Sequence, residues 1–110
     1  MKMESVEFSD FAKIVLKTGK IISAEKVAGT DKLVRIEVDI GEEKRQLVAG
    51  IAKDYPAEKL VGKTIIVVAN LKPKKVFGIE SQGMLLAVQD EKGVSLLTTD
   101  REVRPGLRVS

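Results

Sequence analysis

The 110-residue sequence predicts an all-β fold, a small barrel of five strands with one short helix and a C-terminal extension. One segment alternates apolar and polar residues with the period of a half-buried strand, and two others are short, continuous apolar runs. Glycine or proline separates most of these segments. No repeat or linker divides the chain, so we expect a single domain over residues 1–110.

The first three strands are predicted from alternation and turn signals. Residues 13–27, KIVLKTGKIISAEKV, are long for one strand and carry Gly19, which is typical of a strand that bends or bulges to serve two sides of a barrel. Residues 33–40, LVRIEVDI, alternate regularly and form the second strand. GEEK turns the chain, and residues 45–50, RQLVAG, return as the third strand of a hairpin.

A short helix is predicted between the third and fourth strands. Pro56 can open a helical turn, residues 57–61 can continue it, and Gly62 can end it. Residues 64–70, TIIVVAN, and 84–89, MLLAVQ, are then apolar runs of strand length. This order of three strands, helix, strand, loop and strand is that of the OB-fold, a five-stranded Greek-key barrel.

The predicted barrel occupies about residues 13–90, and residues 91–110 form an extension with one short strand and a turn at Pro105–Gly106. The apolar residues of the extension either extend the core or form a subunit interface. We expect the interface, and therefore a homodimer. These residues are Val94, Leu96, Leu97, Val103, Leu107 and Val109.

The composition argues against catalysis. The chain has no cysteine and no histidine, which removes thiolate nucleophiles, the usual metal ligands and the usual general base. Its acidic residues lie beside basic ones in turns, as on a solvated surface. We therefore predict a protein that is not an enzyme and has no cofactor or metal. Without a signal peptide or an apolar run near the ~20 residues of a membrane helix, we expect a cytoplasmic protein with no membrane contact.

Residues 70–84, NLKPKKVFGIESQGM, combine three lysines with a proline and two glycines. Lys72, Lys74 and Lys75 are too close in sequence to all point inward, so at least two face solvent or a polyanion. An ammonium group binds phosphate as a point charge, and Pro73 lowers the cost of ordering the loop. The segment is a candidate nucleic-acid surface, although a solvated turn is the alternative.

Uncharged residues of the same segment could add contacts. Gly78 and Gly83 permit conformations or close approach that a side chain would block. Ser81 and Gln82 carry hydrogen-bonding groups for sugar or base edges. Met84 offers a polarizable apolar contact, or else it is the first core residue of a strand.

Four stretches resemble the tRNA-binding OB domain at the C-terminus of many methionyl-tRNA synthetases and in free dimeric tRNA-binding proteins. They are DKL at 31–33, RQLVAGIA at 45–52, LVGKTIIVVANLKPKKVFGIESQGMLLA at 60–87 and PGLRV at 105–109. The resemblance implies a tRNA-binding protein, the β subunit or a free-standing accessory of methionyl-tRNA synthetase, with a separate catalytic chain as a possible partner. It also implies that the tRNA-contacting edge contains Asn70, Lys72, Lys74, Lys75, Ser81, Gly83 and Met84.

We add Lys32 and Arg45 as candidates, each with an alternative. Lys32 could be a turn residue, and Arg45 could pair with a nearby glutamate; Asn70 could equally do no more than close a strand end. The family pattern is not kept at residues 15–19, VLKTG, or at 48–50, VAG, so no binding role is assigned there.

Few aromatic residues are available for stacking. The chain has Phe8, Phe11, Tyr55 and Phe77, and only Phe77 lies in the lysine-rich segment. Stacking along an extended single strand is therefore disfavoured, and recognition of the shape of a folded RNA fits better. A protein-export chaperone of the CsaA type is the alternative function, but that group usually has a proline-containing insertion near DKL, which the intact GTDKLVRIEV at residues 29–38 lacks.

Overall fold

The computed structural model describes residues 2–110 as an antiparallel barrel, which confirms the predicted all-β OB-like fold. The elements are α1 (Phe8–Phe11), β1 (Leu16–Lys26), β2 (Val34–Asp39), β3 (Lys44–Ala49), α2 (Ala57–Leu60), β4 (Thr64–Val68), β5 (Lys74–Val76), β6 (Ile79–Ser81), β7 (Met84–Leu85), β8 (Ala87–Asp90), β9 (Gly93–Leu96) and β10 (Arg108–Val109). The main sheet runs in the order β3–β2–β1–β4–β7, with β10 added beside β1. No helix among the described residues is long and apolar enough to cross a membrane.

The core fills the barrel with the residues that the alternation of β2 predicts. Val34, Ile36 and Val38 have no exposed surface. They pack with buried residues of β1, β3, α2, β4 and β7 in one cluster. Each fully buried aliphatic side chain contributes about 1.5–3 kcal/mol relative to an exposed one, so this cluster supplies most of the driving force for closing the barrel.

The first strand bends as predicted, because it serves two neighbours. Its first half pairs with β4 and its second half with β2, with a register shift between Ile21 and Ser23. A Cβ atom on Gly19 would lie 2.7 Å from Cγ2 of Val38. Glycine is therefore needed at position 19 for close packing against β2. The register shift of the strand lies a few residues later, between Ile21 and Ser23.

Two sequence predictions about the second half of the chain are wrong in detail. The lysine-rich segment is not only a loop, since β5 and β6 pair within it as a hairpin. The run at residues 84–89 is not one strand: β7 pairs with β4, whereas β8 pairs with β9. The chain changes partners at Leu86, whose N–H donates to Ile66 O and whose carbonyl accepts from Leu97 N.

The C-terminal extension is bound to its own barrel. Thr18 Oγ1 accepts a hydrogen bond from Leu107 N at 2.9 Å, and β10 pairs with the start of β1. Val94 and Leu96 pack against the core cluster, while Leu97 remains 39% exposed. The extension therefore adds to the core, and the homodimer stays a prediction.

Candidate nucleic-acid interface

An open groove of about 560 Å³ lies beside the β5–β6 hairpin, bordered by β3 and the start of β7. We call it the lysine groove. It brings together five of the nine predicted site residues, Lys72, Lys74, Ser81, Gly83 and Met84. Its other lining residues, which the sequence did not single out, are Val48, Leu71 and Val76.

Two lysines line the groove. Lys72 and Lys74 are both exposed. Lys75 is exposed too, but neighbouring residues of a strand point to opposite faces, and Lys75 does not line the groove. Among residues 2–110, none of these three lysines forms an ion pair. Their charges are therefore available to an anionic ligand.

Met84 lies in the groove rather than in the core. It begins β7 opposite Val68, and half of its surface is exposed. Leu71 is exposed to a similar extent, 47%. The alternative of Met84 as a core residue does not hold in the structure, where the buried member of β7 is Leu85.

Ser81 and Gly83 shape the groove from inside. Ser81 is buried, and its Oγ accepts from Val48 N at 3.1 Å and donates to Gly83 O at 3.0 Å. Gly83 has a φ of +140°, and a Cβ atom there would lie 2.9 Å from Val68 O. The hydroxyl group of Ser81 therefore already donates its one hydrogen bond within the protein. Gly83 allows its own backbone to approach that of Val68 closely.

The side chain of Arg45 links β3 to the segments that follow β4 and precede β7. Its Nη1 donates to Ala69 O at 2.8 Å and to Gln82 O at 3.0 Å, and its Nη2 pairs with Glu43 at 2.9 Å. The hydrogen bond and the charge of Arg45 lower the pKa of the Glu43 carboxyl group. Most of the donor capacity of Arg45, and part of its charge, are therefore satisfied within the chain.

Asn70 and Lys32 also lie outside the lining of the groove. The amide of Asn70 accepts from Val15 N at 2.9 Å and donates to Lys13 O at 2.6 Å, which fixes the segment before β1 to the end of β4. Lys32 is exposed in the loop between β1 and β2, and its carbonyl accepts from Ala52 N. The structure does not bring the side chain of Lys32 into the groove.

Phe77 is a surface feature that the sequence prediction left out of the site. It forms the tip of the β5–β6 hairpin with Gly78, is 62% exposed, and has a φ of +51°, in the left-handed region. A Cβ atom on Gly29 would contact its ring at 3.5 Å. The sequence signal for this turn was the pair Phe77–Gly78. Two-residue hairpin turns favour Asn-Gly, so a glycine after one residue at this place was consistent with a hairpin turn.

Comparison with known proteins identifies the family. Residues 16–108 match the domain family described as "Putative tRNA binding domain". The chain belongs to this tRNA binding domain family. Methionine–tRNA ligase of Thermotoga maritima is 52% identical over 99% of this chain, which covers 17% of the ligase. The ligase of Pyrococcus horikoshii is also 52% identical, and the chain spans 15% of its length.

Solved structures show the same fold at full length. A MetRS-related protein of Pyrococcus horikoshii has a TM-score of 0.90 and 46% identity, covering 98% of this chain and 100% of that one. The chaperone CsaA of Bacillus anthracis has a TM-score of 0.87 and 33% identity, covering 97% and 100%. The resemblance drawn from the sequence motifs is confirmed, and CsaA shares the fold at lower identity.

Proposed function

We propose that this chain binds tRNA through the lysine groove and is a binding module rather than an enzyme. One observation carries the proposal: a member of the tRNA binding domain family has two exposed lysines, unpaired among residues 2–110, that line an open groove of about 560 Å³. Lys75, on the outer face of the hairpin, extends the positive surface. Ammonium groups bind phosphate without reading sequence, so we expect tRNAs of many kinds to bind.

Salt dependence tests the proposal. Each lysine that neutralises a phosphate adds up to about one unit to the slope of log K against log salt. Alanine at Lys72, Lys74 and Lys75 together should therefore weaken tRNA binding strongly at low salt and flatten this slope by up to about three units, that is up to about one unit per lysine.

A control of equal charge removes Lys53, Lys59 and Lys92, which are exposed but do not line the groove. This variant should lose little affinity. If both triple variants bind tRNA as the natural chain does, or if both lose the same affinity, the groove is not the tRNA site.

We further propose that the chain acts in the cytoplasm with a separate methionyl-tRNA synthetase catalytic chain, or as its free-standing accessory. The relatives that support this are ligases of which the matching part is about one sixth. A pull-down with and without RNase tests it, since a β subunit retains the synthetase after RNase treatment and a free tRNA-binding protein recovers tRNA only.

The alternative is a chaperone function, which the fold shared with CsaA supports. The identity to CsaA, 33%, is lower than the 46% to the MetRS-related protein. The chaperone function would be favoured by two results together. The natural chain and the triple lysine variant would prevent aggregation of an unfolded protein equally well, and tRNA binding would not depend on the lysines.

A further inference from the structure

We propose that the lysine groove receives one unstacked nucleotide of the bound RNA, with the base on an apolar floor and its phosphate beside Lys72 and Lys74. This inference rests on the proposed tRNA binding and names the part of the RNA that the groove contacts.

The floor of the groove is more apolar than phosphate binding requires. Val48, Leu71, Val76 and Met84 all line it, and Leu71 and Met84 expose about half of their surfaces. Phosphate and ribose oxygens gain nothing from such a surface, whereas the flat face of a base does. A volume of about 560 Å³ falls within the range of small-molecule sites, so the groove has room for a nucleotide.

The neutral polar groups of the lining side chains offer little to distinguish one base from another. Ser81 is the one neutral polar side chain among the lining residues, all of which the structure describes. Its proton is donated to Gly83 O, and it already accepts from Val48 N. Base edges are distinguished by hydrogen bonds. With Lys72 and Lys74 engaged by the phosphate, the lining side chains offer no further donor to a base edge, so we expect the groove to accept any of the four bases.

The position of the cations fits this arrangement. Lys72 and Lys74 line the same groove as the apolar floor, so one ligand can contact both. A paired base is stacked inside its helix and cannot reach the floor. The ligand is therefore a nucleotide already unstacked in a loop, bulge or single-stranded end, as in other proteins that recognise folded RNA.

Two RNA hairpins of identical charge test the inference. Each carries one unpaired nucleotide in a bulge; in one the nucleotide has its base, and in the other it is abasic. Stacking of one base on an aromatic side chain is worth roughly tenfold in affinity or more, and an aliphatic floor should provide less. The natural chain should therefore bind the complete hairpin several times more tightly. The preference should be similar for all four bases.

Variants separate the floor from the charges. Met84→Ala and Leu71→Ala should each reduce the preference for the complete hairpin, whereas Val61→Ala, at an exposed apolar residue outside the groove, should keep it. Loss of Lys72 and Lys74 should weaken binding of both hairpins in parallel. Melting curves confirm that each variant is folded.

Equal affinity of the natural chain for the two hairpins overturns the inference while leaving lysine-dependent tRNA binding intact. A preference that Met84→Ala and Leu71→Ala leave unchanged also overturns it, because the base then binds elsewhere. If tRNA binding itself is independent of the lysines, the proposed function fails and this inference fails with it.

Discussion

The hydroxyl group of Ser81 joins β3 to the segment before β7. It is buried and satisfies the backbone N–H of Val48. Ser81→Ala leaves that N–H without its acceptor, which costs about 1–3 kcal/mol. We expect the melting temperature to fall by about 5 °C or more, while the folded variant keeps the salt dependence of tRNA binding.

Ser95 provides the matched control, since it is exposed on β9. Ser95→Ala should melt with the natural chain. If Ser81→Ala melts normally and yet binds tRNA more weakly, the hydroxyl group of Ser81 contacts the RNA, as the family resemblance implies.

The backbone of Phe77 is strained, because its φ of +51° is unfavourable for a bulky side chain. Asparagine tolerates this region and precedes glycine in the favoured two-residue turn. We expect Phe77→Asn to raise the melting temperature by a few degrees, corresponding to about 1 kcal/mol of relieved strain. Phe8→Asn, at an exposed phenylalanine, should have little effect. A lower melting temperature of Phe77→Asn would mean that the contact of its ring with Gly29 outweighs the strain.

The sequence predicted the exposed lysines of the candidate site but not the hydrogen-bond partners of its polar residues. At least two of three lysines so close together had to face solvent whatever the fold. The partners of Ser81 and Arg45 lie 24 to 37 residues away in the chain, apart from local bonds. The hydroxyl group of Ser81 is hydrogen-bonded to the backbone only because of the register of β3 against the segment before β7. No local sequence pattern specifies that register.

The ends of β3, β4 and β7 are joined by the guanidinium group of Arg45. Arg45→Met keeps most of the side-chain volume but removes the donors to Ala69 O and Gln82 O. We expect a clear loss of melting temperature at neutral pH, equivalent to about 1–3 kcal/mol.

The pH dependence of this loss has a definite sign. Because Arg45 lowers the pKa of Glu43, the stability from this pair is present at neutral pH and is lost as the pH falls below about 4. The difference in melting temperature between the natural chain and Arg45→Met should therefore shrink between pH 7 and pH 3. A constant difference would show that the carbonyl contacts act alone and that the ion pair contributes nothing, as exposed pairs often do.

Strand predictions succeeded where one face of the strand is buried, as in β2, or both faces are, as in β4. The alternation of β2 and the apolar run of β4 each specify an element on their own, and both formed as predicted. The β5–β6 hairpin and the break at Leu86 were missed, since short, exposed strands have no apolar period and the break depends on a hydrogen bond to Ile66.

Contacts between distant parts of the chain also explain the error about the C-terminal extension, which was expected to lie outside the barrel. Leu107 reaches Thr18 across 89 residues of sequence, a contact that depends on the closed barrel. A truncation at Glu91 would therefore remove β9 and β10 and expose the core, so it cannot report on association alone.

Point variants on the surface test the homodimer instead. We still propose a two-fold interface through the extension and the adjoining β8–β9 hairpin, where Val88 is 57% and Leu97 39% exposed. Val88→Lys with Leu97→Lys places two like charges in each copy of such an interface and leaves the buried core unchanged. Light scattering at micromolar concentration should show a dimer for the natural chain and a folded monomer for the double variant. Because a dimer presents two lysine grooves, the monomer should also bind tRNA more weakly. A natural chain that is monomeric at this concentration refutes the proposal, and a dimer unaffected by the two lysines places the interface on another surface.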